Sequence, residues 1–112
     1  MQRIDVMISM LNNEQKIVVP IELKAVEANE TNIFQIQRYI DWLKQYYLPN
    51  RSSDIRPILI SKTIADKNNS NFKKIIESFK KFNNLNKSDC NKLQYIEFSI
   101  QKNDLVFKQI NY

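Results

Sequence analysis

A chain of 112 residues without one glycine must build every turn and every close approach from residues that carry a Cβ. Turns therefore fall to Asn, Asp, Ser and Pro. The sequence clusters these at Asn12-Asn13, Pro49-Asn50-Arg51-Ser52-Ser53-Asp54, Asn68-Asn69-Ser70, Asn83-Asn84 and Asn103-Asp104. The same absence excludes a phosphate-binding P-loop and a dinucleotide fingerprint, both of which need backbone that only glycine permits. Histidine is absent as well, which removes Ser-His-Asp triads, histidine-based nucleases and histidine-ligated zinc. Carboxylates, lysine, tyrosine and a hard metal ion remain as sources of chemistry.

Between the turn clusters the hydrophobic period changes. Residues 3–10 alternate, with Ile4, Val6 and Ile8 on one side and Arg3, Asp5, Met7 and Ser9 on the other. Residues 16–24 alternate too, setting Val19, Ile21 and Leu23 against Val18, Pro20, Glu22 and Lys24. These read as a hairpin turning near Asn12-Asn13. Residues 32–47 switch to helical spacing, with Ile33, Ile36, Ile40, Leu43 and Tyr47 in a stripe. Ile55 to Ser61 is a nearly continuous apolar run, as in a strand buried on both faces. Phe72, Ile75, Ile76, Phe79 and Phe82 make a second amphipathic helix with Lys73, Lys74, Lys80 and Lys81 outside. Residues 93–100 and 105–110 close the chain as a hairpin turned at Asn103-Asp104. The expected fold is α/β, a mixed central sheet flanked by helices, in the order β-β-α-β-α-β-β.

The length allows one domain over residues 1–112 and too little chain for two. No stretch is long and apolar enough to span a bilayer, and the start, Met1-Gln2-Arg3-Ile4-Asp5, has no signal-peptide pattern. The single cysteine, Cys90, forms no internal disulfide and is assigned no role, and a cytoplasmic location is expected. A net charge of +5 suits a polyanionic partner, although it is also common in proteins that touch no nucleic acid. The four helix lysines fit a solvated face better than a DNA track.

Within a strand Glu22 and Lys24 project to one side. If Asn12-Asn13 form a two-residue turn, Asp5 falls opposite Pro20. A register shifted by two sets it opposite Glu22. In both cases Asp5, Glu22 and Lys24 share a face and the aliphatic residues share the other, whereas a slip of one residue would bury Asp5 among the aliphatics. Two carboxylates on adjacent strands suit Mg²⁺, with the Leu23 carbonyl as a third ligand. Lys24 is placed to orient a metal-bound water and offset negative charge. The competing reading of the same residues is a wet face on a half-exposed hairpin. On the helix, Gln35 and Tyr39 lie one turn apart, and Trp42 and Tyr46 continue their row. Glu27 and Glu30 are read as a charge pair at the helix entry. Pro20, which has no N–H, suits an edge or a bulge.

Arg3-Ile4-Asp5, Ile17-Val18-Val19-Pro20-Ile21-Glu22-Leu23-Lys24 and Gln35-Ile36-Gln37-Arg38-Tyr39-Ile40-Asp41-Trp42-Leu43 together resemble the PD-(D/E)xK, or restriction-endonuclease-like, nucleases. The resemblance is to the branch with a Q-x-x-x-Y helix, found in RecB-like and NucS-type enzymes, and it covers Arg3 to about Ser61. It implies Asp5, Glu22 and Lys24 as catalytic residues, with metal held by Asp5, Glu22 and the Leu23 carbonyl. It implies Gln35 and Tyr39 as substrate-binding residues; Arg3 and Arg38 are further candidates for phosphate contact. No proline precedes Asp5. The family's usual first helix and strand are expected to be lacking, leaving a sheet edge open to a homodimer partner or a complementing chain.

The expected function is a Mg²⁺-dependent deoxyribonuclease (Mn²⁺ as a substitute), an endonuclease from a restriction, repair or mobile-element context. The alternative is an inactive nuclease-fold remnant that binds nucleic acid or a partner subunit.

Overall fold

The structure, a computed structural model, describes residues 6–12, 15–46 and 54–112. Its elements are β1 (Val6–Asn12), β2 (Gln15–Glu27), α1 (Thr31–Tyr46), β3 (Ile58–Lys62), α2 (Ser70–Leu85), β4 (Gln94–Gln101) and β5 (Asp104–Ile110). They form one mixed sheet in the order β1-β2-β3-β4-β5. β2, β3 and β4 run parallel, and β1 and β5 pair antiparallel at the two edges. The expected α/β class and element order are those observed.

The two parallel crossovers, β2-α1-β3 and β3-α2-β4, step the same way along the sheet. Crossovers of one hand that advance in one direction return their helices to one side. Accordingly Ile33, Ile36, Ile40 and Leu43 of α1 and Ile75, Phe79 and Phe82 of α2 share a single core with Val18, Leu59 and Tyr95. Phe79 meets Tyr95 edge-on, with ring centroids 5.1 Å apart. On the opposite face Ile17, Val19 and Ile21 cluster with Ile58 and Ile60, and no described helix joins them.

This arrangement reverses the expected facing of the first hairpin. Its aliphatic side does not look into the main core. The side bearing Val18, Pro20 and Glu22 does, because β2 is apolar on both faces and the helices cover only one. The run at Ile55 also needs correction. The strand is Ile58–Lys62, and Ile55 makes an isolated bridge to Val18. Leu59 and Ser61 are buried beneath the helices, while Ile58 and Ile60 are only half-buried on the other face.

Pro20 sits in an interior strand rather than at an edge. After the Val18↔Ile55 bridge, the β2–β3 ladder resumes at Ile21↔Ile58. Pro20 and Pro57 both fall in the gap, so the missing N–H interrupts a ladder already broken there. The first hairpin pairs Asn12 with Gln15 and Val6 with Ile21, two residues displaced from a turn at Asn12-Asn13. Both registers oppose aliphatic to aliphatic, so the hydrophobic pattern does not choose between them. Tyr47, expected at the end of the first helix, lies outside the described residues.

Asparagine performs the terminal work that glycine commonly shares. Before α1, Asn29 Oδ1 accepts from the Thr31 N–H at 2.8 Å, and Asn32 Oδ1 accepts from the Asn29 N–H at 2.9 Å. The pair is a reciprocal cap. Asn69 caps α2 by accepting from the Asn71 N–H at 2.9 Å. Asn86, buried at the end of α2, donates Nδ2 to Gln37 Oε1 at 2.7 Å and accepts from Gln37 Nε2 at 3.0 Å. This amide pair ties the two helices together.

The β4–β5 turn is Lys102-Asn103, one residue earlier than expected, with φ of 50° and 68°. The register it sets pairs Phe98 with Phe107 and Ile100 with Leu105, gaining aromatic and aliphatic cross-strand contacts. Two consecutive left-handed residues suit Asn-Gly better than Lys-Asn. Replacing Lys102-Asn103 by Asn-Gly is expected to stabilise the fold by about 1 kcal/mol. Thermal denaturation checks this as a rise of a few degrees in the midpoint.

Candidate functional site

Glu22 lies on β2, on the sheet face that the helices cover, and only 1% of it is exposed. It is not part of a wet hairpin face. Across the sheet it is opposite Leu59 of β3, itself fully buried. Lys24, two residues on, keeps its side chain 39% exposed and sets Nζ 3.8 Å from Glu22 Oε1. At that distance the contact is a loose ion pair rather than a hydrogen bond. A carboxylate taken out of water is expensive unless strongly compensated, and here the bridging cation reaches toward solvent.

Immediately after Leu23 the β2–β3 register shifts. Leu23 pairs with Ile60, but the next pair is Glu27↔Lys62, so β2 uses more residues than β3 over this span. Such bulges bend a strand and re-aim its side chains, and they recur beside functional sites. Lys24 and the two residues after it fall in the irregular stretch. The pairing of β1 with β2 is described from Val6↔Ile21 onward, and Asp5 and Arg3 lie outside the described residues.

α1 packs against β2. Tyr39 is as deeply buried as Glu22, Gln35 is half-buried, and Arg38 is exposed. The row predicted to continue from Gln35 and Tyr39 holds: the Trp42 and Tyr46 rings stand 5.0 Å apart. Gln37, between the two motif residues, carries the helix-tying contact to Asn86 and also donates to Asp41 Oδ1 at 3.0 Å. Asp41 therefore has a helix neighbour other than the Arg38 that sequence spacing suggested. Glu30 immediately precedes α1. Glu27 ends β2 and accepts from the Ala65 N–H at 3.4 Å.

A second buried carboxylate escaped sequence reasoning. Glu97 of β4, 2% exposed, accepts from the Tyr95 hydroxyl at 2.7 Å and the Ile64 N–H at 3.1 Å on Oε2, and from Lys67 Nζ at 2.7 Å on Oε1. The signal was the alternation of β4, which puts Tyr95 and Glu97 on one face just as β2 pairs Glu22 with Lys24. Burial, reinforced by the hydrogen bond to Glu97, pushes the Tyr95 phenol well above its usual range. Glu97 thus secures the segment between β3 and α2, and its donors are all supplied by the protein. Glu22 and Glu97 are on the same sheet face but two strands apart, with Leu59 and Ser61 of β3 between them.

For metal binding the donors near Glu22 are hard oxygens: its carboxylate and the Leu23 backbone carbonyl. Among the described residues no group of three or more Asp, Glu, Cys or His side chains is gathered to hold an ion. Two clefts are lined by other residues. One of about 610 Å³ lies between α1 and α2, and one of about 510 Å³ lies at the end of β2. The first mixes Glu30 and Glu77 with Lys74 and Lys81, a lining without a net preference for phosphate. Among the described residues no helix is long and apolar enough to cross a membrane.

Compared with known proteins, the chain matches no family model, no curated protein and no solved structure.

Cys90 is buried rather than held in an open loop, and burial, with a smaller push from Asp89 partly offset by Lys44, raises its thiol from 9.0 to about 12. The folded state disfavours the thiolate, so this stability is intact below pH 9.0 and is lost as pH rises toward 12. The native thiol is accordingly expected to react slowly with a disulfide reagent at pH 8 and rapidly once denatured. Equal rates would contradict this. The two carboxylates are expected to separate in denaturant titrations. Glu97→Ala should cost about 2–4 kcal/mol by orphaning its buried donors, whereas Lys24→Ala should cost less than about 1 kcal/mol.

Proposed function

We propose that the chain is a divalent-metal-dependent phosphodiesterase acting on DNA, with its reacting centre at Glu22 and Lys24. The observation that carries this reading is the buried Glu22 carboxylate on the helix-covered face, joined at 3.8 Å by a lysine that remains open to solvent. A buried acid paired loosely with a reachable base is a poor stabilising device and a common functional one. The register break directly after Leu23 and the helix bearing Gln35 and Tyr39 add to it.

The donor set fits Mg²⁺ in kind. That ion takes one or two protein carboxylates and completes its shell with water and phosphate oxygens. In this reading Glu22, the Leu23 carbonyl and Asp5 hold it. When bound, the ion supplies charge stabilisation for a phosphodiester and lowers the pKa of a bound water. Lys24, a compact point charge on a flexible stem, orients the attacking water and offsets the charge that grows on phosphate. Gln35 and Tyr39 position the strand, and Arg38, exposed on α1, meets the phosphate backbone together with Arg3.

Nicking of supercoiled plasmid in Mg²⁺ or Mn²⁺ tests the proposal. Glu22→Gln and Lys24→Ala are each expected to lower the rate by at least ~100-fold with circular dichroism unchanged. Equal cleavage by the parent and both variants would overturn it. One observation favours a second reading, a non-cutting nucleic-acid or subunit-binding module: no three-ligand group is gathered among the described residues. That reading predicts salt-dependent DNA binding without cleavage and indifferent to Lys24→Ala.

A further inference from the structure

The sheet face without a helix carries an apolar surface from one edge to the other. Alternation and pairing place Val6 and Ile8 of β1 beside Ile21 and Val19, and Phe107 and Leu105 of β5 beside Phe98 and Ile100. On the strands between them this face is made by the cluster of Ile17, Val19, Ile21, Ile58 and Ile60. Ile100 is 74% exposed, Leu105 and Phe107 are 57% exposed, and Leu23, Ile8 and Val6 are 40–50% exposed. Parallel strands are ordinarily covered on both sides, and β2 and β3 are apolar on both sides, as strands of a doubly covered sheet are.

We infer that this face is an interface between two copies of the chain, packed sheet against sheet about a two-fold axis. The size is sufficient. Five strands ~4.8 Å apart and about seven residues long at ~3.3 Å per residue give a footprint of roughly 550 Å². Two such faces bury about 1,100 Å² in total, above the ~1,000 Å² that a specific interface requires. The charge pattern selects a like partner. The chain carries +5, yet alternation puts no ionisable side chain on this face along residues 6–8, 17–23, 58–60, 96–100 or 105–107. The Lys-rich surface of α2 lies on the other layer. Two copies therefore meet without opposing like charges, and a strongly charged partner gains no attraction here. A two-fold operator needs only one self-complementary patch, and apolar sheet faces stack ~10 Å apart, aligned or crossed. The contact is through the face rather than through the edges at β1 and β5, and it leaves the Glu22 side of the sheet accessible in both copies.

Sedimentation equilibrium and light scattering on the whole chain test this. The parent is expected at twice its 13.4 kDa mass. Ile100→Lys and Phe107→Glu place a charge at exposed positions that the monomer does not need, and each should weaken the dimer by at least ~100-fold with unchanged circular dichroism. Lys81→Glu, on the opposite layer, should leave the dimer intact. A parent that stays monomeric at high concentration would overturn the inference and point to a different occupant for the face. A dimer indifferent to both face substitutions would overturn it in favour of edge pairing. Loss of dimer with plasmid nicking retained separates this result from the fate of the proposed nuclease activity.

Discussion

The two-residue period of β2 governs both the packing and the chemistry of this protein. Its thirteen residues, Gln15–Glu27, are apolar on both sides through Ile21, and every element is arranged around that fact. One side, with Val18 and Pro20, receives α1 and α2; the other, with Ile17, Val19 and Ile21, clusters with Ile58 and Ile60. Glu22 follows in the phase that points beneath the helices, so the strand that anchors the core also carries an acid into it. Lys24, in the same phase, emerges where the ladder to β3 loses register.

Two carboxylates end up buried on one sheet face with opposite fates. Glu97 is saturated by the Tyr95 hydroxyl, the Ile64 N–H and the Lys67 ammonium, and its geometry is that of a brace for the loop entering α2. Glu22 has its lysine at 3.8 Å and sits at the strand's irregular stretch. The contrast in donors, rather than the burial they share, is what directs the functional proposal to Glu22. Two acids of similar exposure differ in how much of their lone-pair capacity the fold itself has claimed.

Much of this was readable before any coordinates. Long periodic segments declared themselves: the Ile33–Leu43 stripe, the Phe72–Phe82 stripe and both hairpins occupy the elements expected of them. Facing was not readable for the first hairpin, because a strand apolar on both sides does not say which side a helix will cover. That depended on crossovers two elements away. Exact turns were also hidden. Registers differing by two preserve the hydrophobic pattern, so Asn12↔Gln15 and Lys102-Asn103 were decided by cross-strand partners such as Phe98 and Phe107. Pro20 argued against an interior strand only until Pro57 was seen in the same gap. At the candidate site the Glu22–Lys24 pairing followed from spacing alone. Glu97 was missed because its partners, Lys67 and Ile64, come from a loop whose return to β4 no local pattern encodes.

A sheet clothed on one side has room for two kinds of contact. Substrate approaches from the side of α1 and the Glu22–Lys24 pair, and the bare aliphatic side remains for association. The central claim concerns the first: that the Glu22 carboxylate is held in reserve for a divalent ion. Electron paramagnetic resonance of Mn²⁺ titrated into the folded chain measures this without reference to any substrate. Saturable binding of a single ion by the parent, lost in Glu22→Gln and retained in Glu97→Gln, is the predicted result. Binding that is unchanged by the loss of the Glu22 charge would contradict the account.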